Sequence, residues 1–326
     1  MMPTRREGLA LALGAAAAGV ASGSASAQTP STVRTKPGFT PPPGSCDCHV
    51  HVFPDPAKFP FWSGRVYTPP VATADDLLAL QKALGFDRVV IVTPSVYGTD
   101  NGATLDGIRQ LGQQRARGVA VIGPQTTAQD LDAMAAGGIR GVRANLETGG
   151  VTDPGAAKAI LDTAVKRIEG RGWHLQIYAS LPLVAQLKDA LGQVPVPVVF
   201  DHFAGADAAK GDGQPGLAAV LDLVKAGRAY VKISGAYRAS RSGAPDYPQV
   251  APLAKALVAA NAERIVWGTD WPHPDSYVIP SRKATDIAPA LDIDDGRLLG
   301  ILADWVPDEA TRKLILVDNP ARLYGF

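Results

Sequence analysis

Short apolar runs alternate with amphipathic segments along most of this chain. Eight runs have the length and composition of β-strands, and they cover residues 46–53, 88–93, 118–123, 139–145, 173–178, 197–202, 229–234 and 264–270. Segments with helical periodicity separate them, at residues 75–84, 105–116, 131–136, 156–169, 183–191, 217–225 and 248–260. Largely apolar strands that alternate with helices indicate a parallel sheet covered by helices. Eight such units predict an α/β fold, a (β/α)8 TIM barrel, capped by helical residues 307–317 and a closing segment at 319–324.

Composition fits one barrel-sized domain without a strong electrostatic field. The chain has 326 residues, of which 46% are hydrophobic, enough for one large core. No glycine-rich phosphate loop follows the first strand, which disfavours an open, doubly wound sheet. With 32 basic and 31 acidic residues the formal net charge is +1, which argues against nucleic acid or an anionic membrane surface as a partner. A small anionic substrate needs only local arginines; the oligomeric state is open.

The amino-terminal residues divide into two segments before the barrel. Residues 1–27 read as a twin-arginine signal peptide, with Arg5 and Arg6, an apolar stretch at 9–20 and a small-residue cleavage site at 25–27. That stretch is too short to predict a stable membrane anchor. Residues 28–45 form a proline-rich linker, and the barrel domain occupies 46–326. The expected location is therefore the periplasm, reached by export of the folded protein.

The first predicted strand carries the most concentrated chemistry in the chain. His49 and His51 are two residues apart, so on a strand their imidazoles point the same way and can converge on one metal ion, proton or substrate group. Cys46 and Cys48, the two cysteines of the chain, alternate with them and are expected to pack on the outer face of the strand. Residues i and i+2 of an extended strand lie too far apart for an unstrained disulfide.

Polar side chains gather at the ends of the other predicted strands. In a barrel of this kind the active site lies at the carboxyl ends of the strands. Besides the first-strand histidines, these ends carry Ser95, Arg143, Asn145, Tyr178, His202, Ser234 and Asp270, and Tyr97 follows shortly after the second. His174, near the start of its strand, is expected to be structural, whereas His273 lies on a loop where it lines the site or caps the turn.

Two chemistries are open to the three histidines and the aspartate. His49, His51, His202 and Asp270 could ligate one divalent ion and leave a position for water. Without a metal, Asp270 would act as general base on water while the imidazoles polarise a carbonyl group. Neutral histidine is compatible with both roles.

Several motifs together resemble the amidohydrolase superfamily. The carriers are Asp47-x-His49-x-His51 on the first strand, Asp201-His202 at the sixth and Thr269-Asp270-Trp271-Pro272-His273 at the eighth, within residues 46–326. The branch they are similar to contains lactone hydrolases. The resemblance implies hydrolysis of a carboxylated or sulfonated lactone with Asp270 as base. It also implies anion binding by Arg143 and Arg238, and further substrate contacts from Ser95, Tyr97, Asn145 and Tyr178.

The chain also departs from the superfamily pattern. Binuclear members use a lysine on strand four and a histidine on strand five, where this chain has Arg143 or Asn145 and Tyr178. A two-metal site is not expected. The missing ligands favour a site that needs no cofactor, and the alternative is one Zn²⁺ on the three histidines and Asp270. Other hypotheses are a lactone isomerase, a zinc-dependent decarboxylase of an aromatic or muconate-type acid, and an exported binding protein.

Overall fold

The computed structural model describes residues 33–277 and 279–326, so the predicted signal peptide lies outside the described residues. Eight strands form one sheet in the order in which they occur in the chain, with parallel neighbours throughout. They are β1 Cys46–Val50, β2 Arg88–Val92, β3 Ala116–Ala120, β4 Ile139–Asn145, β5 His174–Tyr178, β6 Val198–Phe200, β7 Ala229–Ser234 and β8 Ile265–Gly268. A parallel bridge between Val50 and Trp271 brings the chain after β8 back to β1. The nearly closed barrel confirms the predicted (β/α)8 fold.

Helices follow the strands and cover the outside of the barrel. They are α1 Ala74–Leu84, α2 Gly102–Leu111, α3 Ala128–Ala136, α4 Pro154–Ile168, α5 Leu181–Gln193, α6 Leu217–Lys225, α7 Ala236–Ala239, α8 Val250–Ala260, α9 Asp295–Trp305, α10 Glu309–Lys313 and α11 Asn319–Tyr324. Short 3₁₀ turns occupy Ser95–Tyr97, His202–Gly205, Ala208–Lys210 and Ala262–Arg264, and a π-helical turn spans Leu314–Asp318. Helix α9 was not predicted, and β3 begins two residues earlier than expected.

Local sequence explains where several helices begin and end. The Thr73 hydroxyl caps α1 by accepting a hydrogen bond from the Asp76 N–H, and the Asp76 carboxylate accepts one from the Thr73 N–H. Thr127 and Asp130 make the same capping box at α3. Gly85 ends α1 with a left-handed conformation, which glycine adopts without steric cost. These signals are encoded within a few residues, so they can be read from the sequence.

Six of the eight strands contribute residues to two separate apolar layers. Val89 and Ile91 pack outward against the helices, whereas Val90 and Val92 belong to a second cluster inside the barrel. The inner cluster joins side chains from six strands and the carboxy-terminal segment: Cys46, Cys48, Val90, Val92, Val119, Val199, Tyr230, Val266, Leu323 and Tyr324. The prediction that the two cysteines face outward is therefore wrong. They are free thiols in the barrel interior.

Asp47 joins the first and last strands. Its carboxylate accepts hydrogen bonds from the Thr269 N–H (3.0 Å) and hydroxyl (2.6 Å) and from the His49 N–H (3.2 Å). Complete burial raises the pKa of Asp47 to about 7 despite these bonds. At Gly268 the strands approach so closely that an added Cβ would lie 2.7 Å from the His49 nitrogen. This junction places His49 next to the residues that follow β8.

The described part of the predicted linker lies against the barrel. The Thr35 hydroxyl donates to Asp294 (2.5 Å), at the start of α9, and Phe39 packs against the core beneath the Arg312 guanidinium. Near the start of β1, the Ser45 carbonyl accepts hydrogen bonds from residues 87 and 88. Within residues 33–277 and 279–326, no helix is long and apolar enough to cross a membrane.

Candidate active site

Three histidines converge on one carboxylate oxygen at the carboxyl ends of the strands. The Nε2 atoms of His49, His51 and His202 lie 3.7, 3.6 and 3.8 Å from Oδ1 of Asp270. A register irregularity in β1 between Asp47 and the end of the strand accompanies this arrangement, and such bulges commonly re-aim side chains beside active sites. The structure thus brings together the four residues that the sequence singled out from strands one, six and eight.

Hydrogen bonding defines which nitrogen of His51 carries the proton. Its Nδ1 lies 2.7 Å from the Val92 carbonyl oxygen, which can only accept, so Nδ1 is the donor. The Nε2 atom of the neutral ring then presents a lone pair to the Asp270 carboxylate. On the His202 ring, Nδ1 meets the Ser234 hydroxyl at 3.0 Å, and Nε2 again faces Asp270.

Burial sets the charge state of this group. It lowers the pKa of His51 and of His202 to about 4 and that of His49 well below its ordinary value, so the three imidazoles are neutral at pH 7. Burial by itself raises the pKa of Asp270, but the Arg238 guanidinium and the three neighbouring histidines together outweigh that effect and hold it well below the usual range. The result is an ionised carboxylate surrounded by neutral nitrogen ligands.

The donor set fits a single divalent metal ion. Zinc bonds of about 2.0–2.2 Å to nitrogen and oxygen place tetrahedral ligand atoms roughly 3.3–3.5 Å apart, close to the separations from Asp270 Oδ1. Two buried atoms of this set, His49 Nε2 and Asp270 Oδ1, have no hydrogen-bond partner among the described residues. Asp201 joins His49 and His202 in a second group of close ligand atoms. A cation would satisfy lone pairs that otherwise face one another.

A buried network of hydrogen bonds and ion pairs surrounds the Nδ1 side of the His49 ring. Asp201 lies 3.2 Å from His49 Nδ1 and 3.5 Å from the Lys232 ammonium, and it accepts a bond from Arg143 Nε (2.9 Å). Gln176 links the carboxylate to the lysine, with contacts of 3.1 and 2.7 Å. Burial by itself raises the pKa of Asp201, but His49 and the two cations hold it well below its ordinary value. The network fixes the His49 ring while keeping its own charges paired.

A second series of hydrogen-bonded side chains holds the Asp270 carboxylate in place. Its Oδ2 accepts hydrogen bonds from the Tyr237 hydroxyl (2.6 Å) and from Arg238 Nε. The tyrosine oxygen lies 3.1 Å from Nδ1 of His273, whose Nε2 lies 2.9 Å from Asp295 at the start of α9. The His273 N–H also donates to the Asp270 carbonyl, so this histidine both caps the turn and supports the site. With Oδ2 held in this way, Oδ1 is directed at the three imidazoles.

The backbone is strained at the same positions. His202, Asp270 and His273 have φ values of 44°, 68° and 58°, in the left-handed region that side chains with a Cβ rarely adopt. Each such residue costs on the order of 1–3 kcal/mol, and such residues concentrate at functional sites. Gly235 gives Asp270 room, because an added Cβ would lie 3.3 Å from the Asp270 Oδ2 atom.

Most of the predicted substrate-binding residues line one small pocket beside the histidines. The lining comprises His51, Tyr67, Pro94, Ser95, Arg143, Asn145, Thr148, Tyr178, His202, Arg238, Pro274 and Ser276. Tyr97 is the exception, because it lines an adjoining cleft. Arg143 and Arg238 each bond a buried carboxylate through Nε, so they support the site as well as line the pocket.

Several residues of the site were not predicted. Lys232 interrupts an otherwise apolar strand, a pattern that signals a buried charge with a partner. Tyr237 follows the same strand closely, but nothing local shows that it reaches Asp270. Asp295 carried no signal, because the helix that it begins was not predicted. His174, by contrast, lies at the opposite end of β5 against Tyr324, as expected for a structural residue.

A (β/α)8 barrel with histidines and an aspartate gathered at the strand ends is the architecture of a class of barrel hydrolases. The chain belongs to the amidohydrolase family, whose model matches residues 46–326.

Curated relatives of this chain act on lactones. It is 36% identical over 290 residues to the 4-sulfomuconolactone hydrolase of Hydrogenophaga intermedia, covering 88% of this chain and 90% of the relative. The 2-pyrone-4,6-dicarboxylate hydrolase of Comamonas testosteroni is 34% identical, with 89% and 93% covered. The D-galactarolactone isomerase of Agrobacterium fabrum is 32% identical, with 89% and 94% covered. An Agrobacterium tumefaciens crystal structure solved without ligand superposes with a TM-score of 0.73 at 29% identity, covering 89% of this chain and 98% of that one.

Proposed function

We propose that this enzyme hydrolyses a lactone bearing a carboxylate or sulfonate group. The observation that carries the proposal is the convergence of three neutral imidazoles and an ionised Asp270 beside a pocket lined by two arginines. Lactone-acting relatives that match most of the chain support the same substrate class. Arg143 and Arg238 supply the positive charge that an anionic substituent requires.

Hydrolysis assigns a task to each group. The attacking water gives a proton to Asp270 Oδ1 while the water oxygen bonds to the lactone carbonyl carbon. The ring C–O bond then breaks, and the departing oxygen takes up a proton to become a hydroxyl or enol. One water is consumed and one carboxylic acid is formed, which releases a proton at neutral pH. Tyr237 and Arg238 keep the base oriented throughout by binding its other oxygen.

We further propose that one divalent ion, held by His49, His51, His202 and Asp270, takes part. The ligand count in the sequence favoured a metal-free site, but two observations support a cation. Lone pairs of neutral His51 and ionised Asp270 face each other across 3.6 Å, and a carboxylate with so low a pKa is a weak base for ordinary water. Bound Zn²⁺ would supply a Lewis acid that polarises the ester carbonyl and acidifies water.

Metal analysis coupled to a lactone assay tests this proposal. Purified protein is expected to contain about one equivalent of a divalent metal, to open 2-pyrone-4,6-dicarboxylate or a sulfonated lactone, and to lose that activity with a chelator. Zinc should restore it. Full activity in chelated, metal-free protein would instead show that the carbonyl is polarised without a metal ion, by hydrogen-bond donors of the protein.

Lactone isomerisation is the second candidate, because the same base can remove a proton instead of activating water and one relative is an isomerase. Reaction in H₂¹⁸O separates the two activities. Hydrolysis places one ¹⁸O atom in the new carboxylate and releases a proton, whereas isomerisation does neither. A decarboxylase would release CO₂ from its substrate. A binding protein would convert none of the lactones assayed.

We also propose that the protein is exported folded to the periplasm through its twin-arginine leader. The support is the sequence at Arg5 and Arg6 with the apolar stretch and cleavage site that follow. Fractionation of cells that produce the full chain should place the mature protein in the periplasm. Replacing both arginines with lysine should keep it in the cytoplasm, and an unchanged distribution would contradict the proposal.

A further inference from the structure

A second, larger cavity adjoins the catalytic pocket. It has a volume of about 840 Å³, and we call it the aromatic cleft because Phe61, Trp62 and Tyr97 form part of its wall. Pockets of roughly 300–1,000 Å³ hold drug-sized ligands, so this cleft is near the upper end of that range. It has far more room than a single substituted lactone ring requires.

The aromatic cleft is continuous with the proposed site. Ser95, Arg143, Asn145 and Thr148 line both cavities. The catalytic pocket itself measures only about 20 Å³, room for one or two water molecules. A lactone whose carbonyl reaches the histidines must therefore extend past Arg143, and the aromatic cleft is where its remaining atoms would lie.

The aromatic wall is held in place by the backbone. The Trp62 N–H donates to the Val96 carbonyl at 2.8 Å, which fastens the long loop after β1 to the segment after β2. The indole lies over Gly98, where an added Cβ would be 3.2 Å from the ring. Phe61 and Tyr97 pack with centroids 5.4 Å apart and planes tilted by 33°. These contacts fix the positions of the aromatic rings within the protein itself.

Trp62 nevertheless leaves much of its ring uncovered. The exposed fraction of Trp62 is 53%. Trp62 is also the largest of the exposed apolar side chains in the described part of the chain. A fixed, half-covered indole beside an anion-binding pocket is suited to stacking against a planar apolar group. Polar side chains, among them Arg65, Asp100 and Arg143, line other parts of the cleft, so the aromatic rings are confined to one side of it.

We infer that the substrate is a carboxylated lactone carrying an aryl substituent, whose anionic group meets Arg143 while its aromatic ring stacks on Trp62. The inference rests on the proposed lactone hydrolysis and adds the part of the substrate that lies beyond the reacting ring. The anionic group of the substrate is thereby matched to the wall at Arg143, and its aryl ring is matched to the wall at Trp62, within one continuous cavity.

A matched series of substrates tests the inference. The purified, metal-loaded enzyme is assayed with 2-pyrone-6-carboxylate and with the same compound carrying a phenyl group at each free ring carbon in turn. At least one phenyl derivative should have a kcat/KM about tenfold or more above that of the parent compound. Trp62→Ala should remove that advantage while leaving the parent compound nearly unaffected, and Trp62→Phe should retain part of it.

The control is Ile287→Ala, which alters an exposed apolar side chain that lines neither cavity. It should change neither substrate's kinetics. If the parent lactone is hydrolysed and every phenyl derivative is poorer, the inference is wrong and the proposed function stands. Equal losses on both substrates in Trp62→Ala would also overturn the inference, because the tryptophan would then serve the loop and not the aryl group. No turnover of any lactone would overturn the proposed function and this inference with it.

Discussion

Replacing Tyr237 with phenylalanine tests how the proposed catalytic carboxylate, Asp270, is held in place. The change removes one hydroxyl and keeps the buried ring, so packing is preserved. That hydroxyl donates a 2.6 Å hydrogen bond to Asp270 Oδ2 and lies 3.1 Å from His273 Nδ1. A hydrogen bond to a charged group contributes about 1.5–3 kcal/mol, so losing this one raises the pKa of Asp270.

Loss of charge is not the expected consequence. The pKa of Asp270 begins well below its ordinary value, and Arg238 remains bonded to the same oxygen, so the carboxylate stays ionised at pH 7. The expected effect is a less well oriented carboxylate. With only Arg238 bonded to Oδ2, Oδ1 is held less firmly toward the three imidazoles. A barrier increase of about 1.4 kcal/mol corresponds to a tenfold lower kcat, which we take as the expected size, with KM changed less.

Stability should also fall, because His273 Nδ1 loses its buried partner. Such a loss costs about 1–3 kcal/mol, and each kcal/mol lowers the Tm of a domain this large by roughly 2–4 °C. Initial rates of proton release and thermal unfolding measure the two effects separately. The matched control is Tyr324→Phe, whose buried hydroxyl has no hydrogen-bond partner among the described residues and whose ring packs against His174 at the opposite end of β5. Wild-type kcat in Tyr237→Phe would refute the orienting role.

Three further predictions address the base, the barrel junction and the buried lysine. Asp270→Asn should lower kcat by roughly 10²-fold or more, as expected when a positioned base is removed, and steady-state kinetics would exclude the role if turnover persisted. Gly268→Ala should destabilise the protein by about 1–3 kcal/mol, because the new Cβ would lie 2.7 Å from a backbone nitrogen. Thermal unfolding should show no such change for Gly213→Ala, where an added Cβ has nothing within 4 Å. Lys232→Met should cost about 3–5 kcal/mol in urea unfolding, since Asp201 loses a buried partner; a smaller cost would mean that Arg143 suffices.

The sequence by itself determined the architecture and the set of candidate site residues. Apolar strands and amphipathic helices have different periods, and both can be read within ten or so residues. Eight repeats of that unit implied a barrel, and the barrel in turn implied that chemistry lies at the strand ends. Locating the strands from their periodicity and the chemistry at the strand ends leaves few candidate positions. These positions include His49, His51, His202 and Asp270.

The tertiary structure decided how these groups are held and which way several side chains face. A register irregularity between Asp47 and Val50 interrupts the alternation along β1, so the cysteines and the histidines both lie on the inner side of the barrel, which strict alternation could not predict. Lys232 and Gln176 gain their roles from Asp201 on another strand, a pairing that depends on sheet register and not on local sequence. The link from Asp270 through Tyr237 and His273 to Asp295 joins segments that only folding brings together. Such contacts depend on the distances between elements, and the local periodicity of the chain does not encode those distances.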